Sequence, residues 1–220
     1  MFPFERFSEV IVFDVETTGL NAHRDSIIEF GAVKAAPDGS VRETDLLIRL
    51  REGQKLPAEI TRLTGITAEA LLRDGTDAET AAQRISNLIS GPSTLLAAYN
   101  AQFDLCFLYF FLQRFGLERC LKDVKMLDLL TVYKDRRPYP HKLSDAVSSY
   151  CLSARGTHRA ADDAAAAWEL LRAMHGERSD LDLYINLFGY NPRYGVSGPR
   201  ISSVTYRAQR FNPVRKLYEE

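Results

Sequence analysis

The sequence has few cysteines, no surplus of positive charge and no long apolar run, and each absence removes a class of protein. Its three cysteines, Cys106, Cys120 and Cys151, are odd in number and lack CxxC spacing, which argues against a disulfide framework or a thiolate zinc site. Lysine and arginine total 28 against 29 acidic residues, a formal net charge of -1. Affinity for a polyanion would therefore have to come from local features. No stretch approaches the roughly 18 apolar residues of a membrane span, and Met1 to Arg6 carries an acid without an apolar run. The expectation is a soluble, cytoplasmic protein with no membrane partner. Internal repeats are also missing. At 220 residues, 45% hydrophobic and 26% charged, the chain suits one well-buried core plus a short appendage.

The pattern along the chain is α/β. Glu9 to Val15, EVIVFDV, is apolar and β-branched and runs into the polar turn Thr17-Thr18-Gly19, as a buried central strand does. Strand-like segments at Ile27 to Ala35 and Val41 to Leu50 flank the turn Pro37-Asp38-Gly39 and complete an antiparallel meander. Helix-like and strand-like segments then alternate: Ala78 to Ile89, the short strand Thr94 to Ala98, Ala101 to Phe115, Asp128 to Lys134, Leu143 to Tyr150, and an alanine-rich helix from about Arg159 to Met174. This order matches a ribonuclease-H-like fold, a mixed central sheet with helices packed on it. Beyond His175 closely spaced glycines and Asn-Pro or Gly-Pro pairs predict an extended C-terminal tail. The expected division is 1–176 and 177–220.

The chemical signal lies in acids that fall on apolar faces. Asp14 and Glu16 are two apart at the end of the first strand, so their side chains share one side. Two adjacent carboxylates at the edge of a core are costly unless a cation compensates them. Asp104 is followed at helical intervals by Phe107, Leu108, Phe111, Leu112 and Phe115, which puts it on the buried stripe of its helix. From Asp163 the same intervals reach Ala167, Leu170, Leu171 and Met174, whereas seven steps from Asp162 reach Glu169. Asp163 is therefore expected inside and Asp162 outside. Four inward carboxylates suit a hard cation, Mg²⁺ or Mn²⁺. His158, at the start of the helix bearing Asp163, can reach the same place and accept a proton near neutral pH.

These residues resemble the histidine branch of the DEDD exonuclease superfamily, which includes the proofreading epsilon subunit of bacterial DNA polymerase III. The resemblance runs from about Glu9 to Met174. It rests on Phe13-Asp14-Val15-Glu16-Thr17-Thr18-Gly19, on Asn100-Ala101-Gln102-Phe103-Asp104, on His158 with Asp163 five residues later, and on Leu63-Thr64-Gly65-Ile66-Thr67 between the first two. It implies a two-metal-ion 3′-to-5′ exonuclease acting on nucleic acid 3′ ends, single-stranded or frayed, alone or within a polymerase or repair assembly. By the same resemblance Asp14, Glu16 and Asp163 hold one ion, Asp14 also holds the second with support from Asp104, and His158 is the general base. Thr17, Thr18, Leu20 and Phe103 lie near the terminal nucleotide. Tyr99 departs from the histidine that many relatives carry there and bears on substrate fit. RNA-trimming members share the pattern, so DNA is the favoured substrate and RNA the alternative, with a non-catalytic binding module as a remote third reading.

The last segment is locally basic and aromatic. Arg193, Arg200, Arg207, Arg210, Arg215 and Lys216 are interleaved with Tyr184, Phe188, Tyr190, Tyr194, Tyr206, Phe211 and Tyr218. Such a mixture suits an arm for unpaired strands, and it equally suits a segment packed back onto the domain.

Overall fold

The computed structural model describes residues 6–91, 93–153 and 157–219. Five strands, β1 (Glu9–Thr17), β2 (Ile27–Ala35), β3 (Val41–Leu47), β4 (Thr94–Ala98) and β5 (Lys125–Asp128), form one sheet in the order β3-β2-β1-β4-β5. β1, β2 and β3 are antiparallel, and β4 and β5 join parallel. This is the expected mixed sheet. Helices α1 (Ala58–Thr64), α2 (Ala68–Asp74), α3 (Ala78–Ile89) and α4 (Ala101–Gln113) precede β5, and α5 (Leu129–Arg136), α6 (Leu143–Ser149) and α7 (Ala160–Glu177) follow it. Among the described residues no helix is long and apolar enough to cross a membrane.

The sheet separates two cores. Ile11, Phe13 and Val15 pack with Ala82 and Ile85 of α3 and Leu108 and Phe111 of α4. On the other face Val10 and Val12 pack with Val132 of α5, Ala146 of α6 and Leu170 and Leu171 of α7. This strict alternation on β1 is what a strand covered on both sides requires.

α1, α2 and β5 were not foreseen, because runs of seven and four residues are too short for periodicity to declare them. The third strand, expected to reach Leu50, ends at Leu47, and Ile48 instead bridges to Thr76.

The segment after 176, expected as an extended tail, differs in its packing. Among the described residues its backbone has no α-helix beyond Glu177, as the breakers dictate, yet β6 (Leu187–Tyr190) and β7 (Thr205–Ala208) pair as a small parallel sheet. Asn186 exchanges two hydrogen bonds with Met126, its N–H donating to the carbonyl and its Oδ1 accepting from the N–H, both at 2.8 Å. It thereby covers the outer edge of β5, which an exposed strand edge needs. Tyr184, Leu187 and Leu217 enter the core beneath α7, and Phe188 enters the core beneath α4. Two of its cations are held internally: Arg207 donates to the Leu217 carbonyl, and the buried Lys216 lies 3.4 Å from the Asp135 carbonyl. The packing alternative thus describes most of this segment.

Phe188→Ala should therefore cost about 3–5 kcal/mol of unfolding free energy, the usual range for a buried phenylalanine. Removal of 183–220 should leave a chain that melts well below the full protein. Urea denaturation with unchanged midpoints for both variants would show that the segment does not support the core.

Candidate active site

Asp14 and Glu16 share the parity of Val10 and Val12 on β1, so both look toward α7. They stand beyond Val12, the last residue of β1 in register with β4. From there β1 keeps β2 on one side and presents an open edge on the other. α4 starts at that edge, and the Val15 N–H donates to Asp104 Oδ1 at 3.3 Å. Asp104 therefore reaches the site from the opposite core and is 2% exposed. Asp163, in the first turn of α7, is half-buried and accepts the Thr157 N–H at 2.9 Å. Asp162 is exposed and bonded to the Thr157 hydroxyl. The helical-face reading separates the two correctly. One ligand atom from each of Glu16, His158 and Asp163 lies within 4.8 Å of the others.

The electrostatics fit this crowding. Burial, then repulsion from Asp104, Asp163 and Glu16, holds the Asp14 carboxyl well above the usual range. Burial, followed by Asp163 and Glu29, pushes Glu16 up to about 8. Burial also raises Asp104, against the Val15 hydrogen bond, and raises Asp163, against the Thr157 hydrogen bond and the nearby His158. Each carboxyl would be easier to ionise beside a cation. An all-oxygen set of this density, with one imidazole at its rim, fits a hard divalent ion.

Three residues that the motifs did not reveal hold these groups in place. Glu29 on β2 sits directly opposite Glu16 in the register and is fully buried. It accepts from Arg159 Nε and from the Ala160 N–H, both at 2.8 Å, and so fastens the start of α7 to the sheet. Two residues on, a Cβ at Gly31 would fall 2.1 Å from the Ala160 carbonyl carbon, so only glycine lets the helix approach this closely. Asp128, at the end of β5, accepts from the N–H groups of Asn100 and Ala101 at 3.1 and 3.0 Å and also caps α5. It anchors the entry to α4 and hence Asp104. A charged residue and a glycine inside the apolar run of β2 were the available signal.

His158 has a positive φ of 57° and is exposed just before α7. The Thr17 hydroxyl donates to the Gly19 carbonyl at 2.6 Å, and the Thr18 hydroxyl accepts from Ser26 N–H and Gln54 Nε2. Both hydroxyls are engaged in shaping the turn. Leu20 projects from that turn at 88% exposure, while Phe103 is half-buried with its ring 4.8 Å from that of Phe107. Tyr99 donates to the His141 carbonyl at 2.9 Å, tying the α4 entry to the loop before α6.

An exonuclease family model, RNase_T, matches residues 11–171, which contain all of these groups. The chain belongs to this exonuclease family. It is 33% identical over 196 residues to the DNA polymerase III PolC-type of Latilactobacillus sakei, covering 86% of this chain and 13% of that protein. It is 31% identical over 169 residues to the DNA polymerase III subunit epsilon of Treponema pallidum, covering 74% of each. The fold superposes on E. coli exonuclease I in complex with a dT13 oligonucleotide with a TM-score of 0.69 at 20% identity, covering 80% of this chain and 42% of that one. The chain thus spans a small part of the PolC-type protein and less than half of exonuclease I.

The raised carboxyls give a signed expectation. Glu16 rises from an ordinary 4.5 to about 8 in the fold, so between those values the metal-free fold binds more protons than the unfolded chain. The stability from its protonated form is present below 4.5 and is lost as pH rises through about 8. A divalent ion replaces those protons and stabilises more as pH rises. Melting in EDTA and in Mg²⁺ should show a gap that widens from about pH 5 to 8.5. A gap independent of pH would show that these carboxyls do not bind the ion. Separately, Glu29→Gln should lower unfolding free energy by about 1–3 kcal/mol, since it sets a donor against donors in a buried place. Unchanged chemical denaturation would remove Glu29 as the fastening of α7.

Proposed function

We propose that this chain is a metal-dependent 3′-to-5′ exonuclease that hydrolyses the terminal phosphodiester of DNA and releases nucleoside 5′-monophosphates. The observation that carries the reading is the meeting of Asp14, Glu16, Asp104 and Asp163 with His158 at the open end of β1, in a chain of the exonuclease family. Asp14, Glu16 and Asp163 would hold one ion, Mg²⁺ or Mn²⁺, and Asp14 would also hold a second with support from Asp104. When bound, the ions supply positive charge to the scissile phosphate and its leaving oxygen. His158, exposed beside Glu16 and Asp163, takes the proton of the attacking water on a ring nitrogen. Leu20 and Phe103 flank the terminal nucleotide, with the Thr17-Thr18 turn shaped to receive its sugar and phosphate.

DNA is the favoured substrate because relatives at 31–33% identity are polymerase III proteins and the solved neighbour holds an oligonucleotide of dT. The proposed place of work is a single-stranded or frayed 3′ end, within a polymerase or repair assembly in the cytoplasm; the polymerase III names of the relatives and the dT13-bound neighbour favour the polymerase setting and the single strand. Matched DNA and RNA oligonucleotides, labelled at the 5′ end and digested with Mg²⁺, separate this from RNA trimming. The expected product is a ladder shortening from the 3′ end of DNA, and preferential loss of RNA would overturn the DNA assignment.

In that assay EDTA should stop the reaction and Mg²⁺ or Mn²⁺ restore it. Asp14→Ala and Asp163→Ala should abolish turnover while Asp162→Ala keeps most of it, and His158→Ala should slow the chemical step by about 10²-fold to 10⁴-fold. Equal losses at Asp162 and Asp163 contradict the proposed ion site. A fully active His158 variant excludes it as the base.

A further inference from the structure

The turn that follows the first motif leads to a cluster of cations without carboxylate partners. Arg24, Arg51 and Arg114 are all exposed, and none forms an ion pair among the described residues. They are nevertheless gathered by neutral groups. Arg51 donates from Nη2 to the Arg24 carbonyl at 2.6 Å and from Nε to the Ser26 hydroxyl at 3.0 Å. Arg114, at the end of α4, donates to the Asp25 carbonyl at 3.3 Å. Burial lowers the Arg114 pKa and the Arg51 charge lowers it further, as expected for facing guanidinium groups. The acid within the loop is engaged elsewhere: Asp25 accepts from the Thr18 hydroxyl and the Asn21 N–H.

The same hydrogen bonds run back to the candidate active site. Gln54 donates to the Thr18 hydroxyl and accepts from Ser26 and Arg51, so Thr18, Ser26, Gln54 and Arg51 form one connected set. Along α4 the cluster lies about 15 Å from Asp104, ten residues at the helical rise. Where the loop meets α4, His23 packs against Phe110 with ring centroids 4.0 Å apart and planes tilted by 44°. Guanidinium groups fixed by carbonyls keep their full charge and remaining donors for an outside anion.

We infer that Arg24, Arg51 and Arg114 form a phosphate track that holds a single-stranded nucleic acid a few nucleotides on the 5′ side of the bond to be cut. The inference rests on the exonuclease reading for the direction of the strand. The chain's overall charge of -1 makes such a local track the place where strand affinity resides. Arg51 and Arg114 are held by backbone oxygens, where a carboxylate partner would cancel the charge that phosphates require.

The test compares the full chain with the double variant Arg24→Gln, Arg114→Gln, with Arg24→Lys, Arg114→Lys as the charge-keeping control. Arg51 is left intact because it braces the Thr18 turn. Two lost contacts to a single strand should reduce the salt slope of affinity by about 1.4. Over a fourfold rise in salt, the KM of wild type for a 12-nucleotide DNA strand should then climb about sevenfold more than that of the Gln variant. Hydrolysis of a dinucleotide, too short to reach the track, should be equal in all three proteins, and the Lys variant should keep the wild-type slope. Equal KM and salt slope for the Gln variant on the long strand would overturn the track and leave the cluster to a protein partner. Binding of the same 12-mer in EDTA, read by fluorescence anisotropy, separates the two readings. If wild type hydrolyses nothing but the Gln variant binds more weakly with a shallower slope, catalysis fails and the track stands. If their binding is equal, the track fails whatever the activity.

Discussion

The fold is organised around the mutual repulsion of four carboxylates. Asp14, Glu16, Asp104 and Asp163 converge where β1 has lost its β4 neighbour; burial raises the pKa of all four, and the charge of other members adds to the rise at Asp14, Glu16 and Asp104. Left free, such groups would move apart or reach for water. Here each is carried on an element pinned by an independent buried contact. Glu29 fastens α7, Asp128 fastens the entry to α4, and the pairing of β1 with β2, in one register from Val10 to Glu16, fixes the strand itself. The strain of the cluster is held by the scaffold and, in the proposed function, would become affinity for a divalent cation.

That arrangement draws on both cores. α4 belongs to one face of the sheet and α7 to the other, and their amino-terminal ends meet only because β1 extends past β4. Asp104 thus arrives over the strand edge and Asp163 over the strand face. Gly31 is the steric condition for the second approach, and the Val15 hydrogen bond is the fixed point of the first. The carboxy-terminal segment closes the exposed edge of β5 and meets α4 as well: Gln102, two residues from Asp104, donates to the Pro199 carbonyl and accepts the Tyr206 hydroxyl. Its aromatic residues serve packing more than display.

Much of this was legible in the sequence, and for identifiable reasons. The first two strands, α3 and the body of α7 carry long patterns of burial that place them, and β4 shows as a short, wholly apolar run. The inward turn of Asp163 and the outward turn of Asp162 follow from the 3.6-residue repeat, and the shared side of Asp14 and Glu16 from the repeat of two. The motif resemblance named the family before any contact was known. What escaped was short or non-local. β5, α1 and α2 offer too few residues for a period. The carboxy-terminal breakers correctly end the helix but say nothing about what the irregular chain then touches.

By itself, then, the sequence determined which acids must face inward, which elements carry them and which chemistry they suit, because hydrophobic periodicity is a local property. Only the tertiary structure decided that α4 crosses an open strand edge, that Glu29 is spent on Arg159 and Ala160, and that Arg24, Arg51 and Arg114 share one surface. Those facts join residues 27 to 131 positions apart, and no pattern within a strand or helix can encode a contact of that separation.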